Sequence, residues 1–186
     1  MRIILASGSP RRRELMGFIT EDFIVAVTDA DEVLPEDIAA EEAAEFLAEK
    51  KARAAAVFYP DDIVIGCDTT VIHNGMVLGK PYDREDAGCM LRALSGCTHK
   101  VITGVAVMCR GKVTSFSEVT EVEFYPLTEQ EIESYLDTDE PYDKAGSYGI
   151  QGKGSLFVKG IRGDYFNVVG LPAARLKRKL QEIKEI

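Results

Sequence analysis

The chain has 186 residues, 46% hydrophobic and 28% charged, which suits a soluble globular protein with one core or two small lobes. No apolar run approaches the ~18 residues of a membrane span. The formal net charge of -9 disfavours sequence-independent binding to a long polyanion, so a nucleic-acid partner is not expected. The cysteines Cys67, Cys89, Cys97 and Cys109 form no C-x-x-C pair. Three of them, Cys67, Cys89 and Cys109, fall in apolar segments. That pattern predicts buried free thiols in a reducing compartment, not a disulfide framework or a zinc site.

Residues 2–6 read as a buried first strand: the apolar run is too short for a leader and arginines follow at once. Ser9-Pro10 then opens a helix, with Ser9 as N-cap and Pro10 at its first position. A short strand is expected over 23–27. A helix is expected over 40–58, with Ala43, Ala44, Leu47, Lys51, Ala54 and Val57 as its inner stripe and Pro60 as its stop. Residues 63–67 read as a strongly apolar strand. Asn74-Gly75, flanked by apolar residues, has the composition of a tight hairpin turn. Asp83 caps the next helix, with Asp86 as a short stand-in for the glutamate of a capping box, and Gly96 ends it. Strands are expected over 101–109 and 113–124; the second alternates imperfectly, as an edge strand or a long twisted strand does. Thr128 and Glu131 form a capping box for a helix over 129–136. The stretch 137–170 is rich in glycine and aromatics and carries short strands at best, and Pro172 begins a final amphipathic helix. The order is mixed α/β with hairpins and lacks even β-α-β repetition, so a doubly wound sheet is not expected. The chain reads as one domain over 1–186.

Four segments could carry chemistry. In Ser7-Gly8-Ser9-Pro10-Arg11-Arg12, a strand gives way to a helix start whose free amides, hydroxyls and guanidinium groups suit a phosphate. It is not a Walker A loop. A capped surface helix with solvated arginines is the plainer alternative. Asp68, placed at the end of the 63–67 strand, can hold a divalent ion or take a proton from water, or it can be a simple turn residue. Thr69 and Thr70 read as turn residues. In Gly79-Lys80-Pro81, a stiffened lysine can serve as a point charge beside phosphate; a solvent-facing lysine is the alternative. The loop from Asp143 to Gly152 can wrap a base, with Gln151 offering both a donor and an acceptor. The segment from Asp164 to Pro172 mixes polar and apolar residues in a similar way. His73 and His99 lack metal-ligand spacing and read as structural.

These segments together resemble the Maf family of nucleotide pyrophosphatases. The matching pieces run almost end to end: Ser7 to Arg12, Asp31-Glu32, Leu47-Ala48 with Lys51-Ala52, Asp68-Thr69, Gly79-Lys80-Pro81, Leu94-Ser95-Gly96 with His99, Thr103-Gly104, the Asp143–Gly152 loop, and Asn167 to Pro172. The resemblance implies an inosine-triphosphate-pyrophosphatase-like α/β fold, with a central twisted mixed sheet, flanking helices and a cleft between two lobes. It also implies a cytoplasmic protein, often a homodimer. By resemblance, Ser7, Arg11, Arg12, Lys51 and Lys80 engage the substrate and its phosphates. Glu32 and Asp68 face a divalent cation (Mg²⁺ or Mn²⁺), and Asp68 is the general base. Tyr148-Gly149-Ile150-Gln151-Gly152 looks like the class acting on dTTP and UTP, with Gln151 at the pyrimidine edge. Two other readings stand beside it: a non-catalytic nucleotide-binding regulator of septum formation, and a pyrophosphatase for 7-methylguanosine triphosphate.

Overall fold

A computed structural model describes residues 1–184. Its strands are β1 (Ile3–Ala6), β2 (Ile24–Val25), β3 (Ile63–His73), β4 (Met76–Leu78), β5 (Thr98–Cys109), β6 (Lys112–Phe124) and β7 (Val158–Arg162). They hydrogen-bond in the order β2-β1-β3-β5-β6-β7, with β4 on β3. The pairing is mixed: β1 runs parallel to β2 and β3, whereas β3–β4 and β6–β7 are antiparallel. The helices are α1 (Pro10–Gly17), α2 (Ala43–Ala56), α3 (Arg84–Leu94), α4 (Glu129–Leu136), α5 (Tyr165–Val169) and α6 (Ala173–Lys184). This is the mixed α/β fold, with a central mixed sheet and flanking helices, that the resemblance implies. Among the described residues no helix is long and apolar enough to cross a membrane.

The chain divides into two compact units. The first holds Met1–Thr69, Thr103–Glu118 and the segment starting at Gly170. Its core is made by close approach of α2 to the strands. A Cβ on Gly66 would lie 2.2 Å from the Ala48 carbonyl oxygen, and one on Gly104 would lie 2.3 Å from the backbone of Ala44. Glycine on the strand and alanine on the helix are the pair that lets two backbones come this near. The inner stripe of α2 is therefore Ala44, Ala48, Ala52 and Ala55, all fully buried, together with Leu47. The stripe expected from sequence holds at Ala43, Ala44 and Leu47 but departs from this one in the later turns, where Val57 is exposed and Ala54 is only half-buried. Alanine suits either face of a helix, so composition alone did not separate them.

The second unit holds Thr70–Ile102 and Val119–Val169. Its core joins Leu91, Leu94, Val122, Ile132 and Leu136 to a set of rings. Phe124 meets Tyr148 and His99 edge-on, at centroid distances of 4.7 and 4.9 Å. His99 Nε2 lies 2.8 Å from the Tyr148 hydroxyl, and both residues are buried. The expected structural role of this histidine holds, although its Nδ1 has no hydrogen-bond partner among the described residues.

Local signals were accurate at the helix starts. The Ser9 side chain accepts from the Arg12 N–H, and that of Asp83 from the Asp86 N–H. Thr128 and Glu131 form the expected capping box. The Asp86 carboxylate reaches one residue further back than expected, to the Tyr82 N–H at 3.0 Å. Asn74 and Gly75 both have positive φ, as a type I′ turn requires. Three expectations need correction. β3 continues through Asp68 to His73 instead of ending at residue 67, because Val71 and Ile72 extend its buried pattern. Of the two alternatives for β6 the edge strand fails, since it lies between β5 and β7, and the long strand holds, with 13 residues. Cys89 is exposed, because α3 buries Ala87, Gly88, Leu91 and Leu94 and turns residue 89 outward; Cys67 is buried as expected and Cys109 half-buried.

Burial, with a smaller contribution from His73, pushes His99 down from 6.5 to about 4. Between those values the unfolded chain takes up a proton that the folded chain refuses. Stability therefore falls as pH falls through that window, by up to about 1.4 kcal/mol per pH unit. Urea unfolding followed from about pH 7 to about pH 5 should show this loss, and His99→Gln should flatten it. Equal slopes in the two proteins would remove His99 as the cause.

Candidate functional site

In the first unit, β1 delivers the chain to Ser7, which is 8% exposed. The Ser9 cap and Pro10 then start α1 and place Arg12 in its first turn. Every nitrogen of the Arg12 guanidinium group has a partner. Nε donates to the Gly170 carbonyl at 2.9 Å, one terminal nitrogen to Ser7 Oγ at 3.3 Å and the other to Thr69 Oγ1 at 3.0 Å. Thr69 Oγ1 in turn lies 2.9 Å from Thr103 Oγ1. All three partners are neutral, so the side chain is fixed in place with no ion-pair partner among the described residues. Arg11, half-buried, is its neighbour in the same turn.

On the next strand, Asp68 is 13% exposed, and its Oδ1 lies 2.6 Å from Lys51 Nζ. The same ammonium lies 2.9 Å from Glu32 Oε1. Lys51 comes from α2, and its neighbour Lys50 ties down the chain that carries Glu32. Lys50 Nζ donates to the Asp31 carboxylate at 3.0 Å and to the Val33 carbonyl at 3.2 Å. The Val33 N–H closes on Asp31 Oδ1 at 3.0 Å. That bond, followed by the one from Lys50, holds the Asp31 carboxyl below its usual range.

Glu32 and Asp68 are both drawn to one ammonium, which makes their carboxylates candidates to hold another cation. Oxygen donors of this kind suit a hard divalent ion that draws its remaining ligands from water and phosphate. The pair formed by Glu32 and Asp68 thus fits such an ion, with Lys51 standing where positive charge is wanted. Among the described residues no three His, Cys, Asp or Glu side chains converge on one point. Cys67, directly before Asp68, offers no nucleophile: burial pushes its thiol up to about 11. An open groove of about 610 Å³ runs beside β2, lined by Ser7, Ser9, Arg13, Phe23, Val25 and Val27. It shares Ser7 with this cluster but includes none of Arg12, Lys51 and Asp68, so the converging charges mark the site better than the concavity does.

Of the residues named from sequence, Ser7 and Arg12 therefore form one cluster with Thr69, and Glu32, Lys51 and Asp68 form another, both within one unit and meeting at successive residues of β3. Lys80 and Gln151 lie in the second unit, and both are exposed. There the Gly146 N–H donates to the Gly79 carbonyl at 3.0 Å, tying the start of the glycine-rich loop to the turn that carries Lys80. Sequence reasoning took Thr69 for a turn residue. It is a strand residue that holds Arg12, and its signal was its place in the Asp68-Thr69 motif. Asn167 is structural: fully buried, it donates to the Val101 carbonyl and to Thr120 Oγ1 at 3.0 and 2.9 Å.

A family model described as "Maf-like protein" matches residues 2–183. The chain belongs to the Maf family. It is similar to a dTTP/UTP pyrophosphatase of Bacillus velezensis, 49% identical over 181 residues that cover 97% of this chain and 96% of that protein. A dTTP/UTP pyrophosphatase of Bacillus cytotoxicus is 50% identical over 181 residues, covering 97% and 95%. Among solved structures, the Ham1 protein of Staphylococcus aureus aligns with a TM-score of 0.58 at 15% identity, over 98% of this chain and 99% of that one. At that identity the Ham1 likeness establishes the shared fold and nothing finer.

In this Maf-family chain a divalent ion seated on Glu32 and Asp68 would compete with Lys51 for both carboxylates. Replacing the lysine (Lys51→Met) should tighten Mn²⁺ binding to the nucleotide-free protein by about tenfold, because the resident cation is gone. Isothermal titration reads this directly. Unchanged or weaker binding would mean that Glu32 and Asp68 do not form the ion's seat.

Proposed function

We propose that this chain is a metal-dependent nucleoside triphosphate pyrophosphatase that converts dTTP and UTP to the monophosphate and pyrophosphate. The observation that carries the reading is the meeting of Glu32 and Asp68 on Lys51, one residue along the strand from the threonine that fixes Arg12. It supports reading Glu32 and Asp68 as a cation seat and Arg12 as a phosphate fork, carried by successive residues of one strand. The near-50% identity to proteins named dTTP/UTP pyrophosphatase, over almost the whole of both chains, supports the choice of substrate.

In this reading Arg12 grips a phosphate with guanidinium edges already oriented by Ser7, Thr69 and the Gly170 carbonyl. Little orientational freedom is then lost on binding. Arg11 and Lys51 add positive charge against the phosphoryl oxygens, where charge builds as the α–β bond breaks. From the second unit the proposal takes Lys80 as a further phosphate cation and Gln151 as the reader of the pyrimidine edge. Glu32 and Asp68 would hold the divalent ion, whose charge would offset that of the phosphates and lower the pKa of a nearby water. Asp68 accepts the proton of the attacking water through its carboxylate. The oxygen of that water bonds to the α-phosphorus, and the bond to the bridging oxygen breaks. Pyrophosphate departs with the bonding electrons, leaving the monophosphate.

The deciding experiment is a hydrolysis panel of dTTP, UTP, the purine triphosphates and 7-methylguanosine triphosphate, with and without Mg²⁺ or Mn²⁺, the products being identified. Turnover of dTTP and UTP to pyrophosphate is expected only with metal. Asp68→Asn should lower kcat by about a hundredfold or more while the protein stays folded. Wild-type turnover in that variant would remove Asp68 from the chemistry, and binding without any product would favour a non-catalytic nucleotide sensor.

A further inference from the structure

Gln151 sits at the exposed apex of a loop that carries glycine at positions 149, 152 and 154. So much glycine gives a chain little intrinsic shape. What shapes it here is chiefly Glu140, at the start of the 3-10 turn Pro141–Asp143, with Tyr135 beside it. Glu140 Oε2 accepts the Lys153 N–H at 2.9 Å, and Oε1 accepts the Gly154 N–H at 3.1 Å. Oε1 also accepts the Tyr135 hydroxyl at 2.9 Å, and the oxygen of that hydroxyl accepts the Gly149 N–H at 3.1 Å. One carboxylate and one phenol thus hold three backbone amides on both sides of Gln151.

The glycines are there to let this happen. A Cβ on Gly152 would lie 2.4 Å from the Glu140 carboxyl group. One on Gly154 would lie 2.8 Å from the Tyr135 hydroxyl, and one on Gly149 2.8 Å from the Lys144 side chain. None of the three has positive φ, so space, not backbone conformation, demands glycine. Lys144 completes the base of the loop by donating to the Glu140 carbonyl at 2.7 Å. Partial burial pushes the Glu140 carboxyl up, but the amides of Gly154 and Lys153 and the Tyr135 hydroxyl outweigh it and hold it below the usual range.

We propose that Glu140 is a specificity-determining positioning residue: through the amides of Lys153 and Gly154 it sets the loop so that the Gln151 amide meets a pyrimidine edge. This rests on the reading above, in which Gln151 reads the base. The chemistry is selective for a carboxylate. Glutamine has the same shape, but its NH₂ group turns a donor toward a donor at one of the two amides. A loop released at that point keeps its fold on average yet spends less time in the one geometry that reads the base.

The experiment compares the full-length wild type, Glu140→Gln, Tyr135→Phe and Gln151→Ala, with kcat and KM for dTTP, UTP and dATP. Glu140→Gln should lower the preference for dTTP over dATP by about tenfold, through KM for the pyrimidine, with kcat held within about twofold. Adding Gln151→Ala to it should change the preference no further, since both act on one contact. Tyr135→Phe removes one oxygen atom from a ring that keeps its packing on Phe157, and should shift the preference the same way. It carries the test alone should Glu140→Gln fail to fold. An unchanged preference in the folded variants, an equal loss on all three triphosphates, or additivity with Gln151→Ala overturns the role of Glu140. If wild type shows no dTTP turnover, or Gln151→Ala leaves the preference intact, the reading of the site fails first and the role of Glu140 falls with it.

Discussion

The first unit is organised around an ammonium group between two carboxylates. Lys51 has Asp68 on one side at 2.6 Å and Glu32 on the other at 2.9 Å. It and Asp68 are mostly withdrawn from water, whereas Glu32 is 63% exposed. The rest of the unit serves to put that nitrogen there. α2 must lie against the sheet closely enough for a lysine to reach a carboxylate on β3, and glycine at 66 and 104 beneath an alanine-faced helix allows it. A larger residue at either strand position would lift the helix and open the triad. The packing and the electrostatics are thus one constraint, and Lys50 extends it by fastening the segment that brings Glu32.

Arg12 is the opposite case. It is held by three neutral oxygen partners, one of them Thr69, which is itself steadied by Thr103, and no carboxylate among the described residues pairs with it. An arginine held by hydroxyls and a carbonyl keeps its charge available for an anion, and its fork has lost its freedom before the anion arrives. Lys51, paired twice, does not have its charge to spare. A cation that takes over Glu32 and Asp68 would release it. On the proposed function the two basic residues would therefore differ in when they become useful to a phosphate, although composition counts them alike.

Much of this was legible in the sequence, and the failures have physical causes. Caps were read correctly at Ser9, Asp83 and Thr128 because a cap is a local bond between residues three apart. The turn at Asn74-Gly75 was legible because positive φ restricts the residue types. The continuation of β3 was not: Asp68, Thr69 and Thr70 interrupt the apolar pattern, and what keeps them in a strand is pairing with other strands. The bond between Thr69 and Thr103 joins residues 34 apart and leaves no local mark. Of the site residues, Arg12 and Asp68 stood out by type and motif, while Thr69 could be assigned a role only after Arg12 had been seen to lean on it.

Glu140 shows why the remaining part was illegible. Its partners are mostly backbone N–H groups, which every residue except proline carries, so no partner residue type announces the contact. The trace it leaves is indirect: glycine at 149, 152 and 154, where a side chain would collide with the carboxylate, the lysine stem or the phenol. In sequence, the stretch from Asp143 to Gly152, which holds two of these glycines, reads as a loop that can wrap a base. The structure gives them the reverse meaning, since each removes an obstacle to being held. A loop can be rich in glycine because it is rigid, and the residue that makes it rigid need not be in the loop at all.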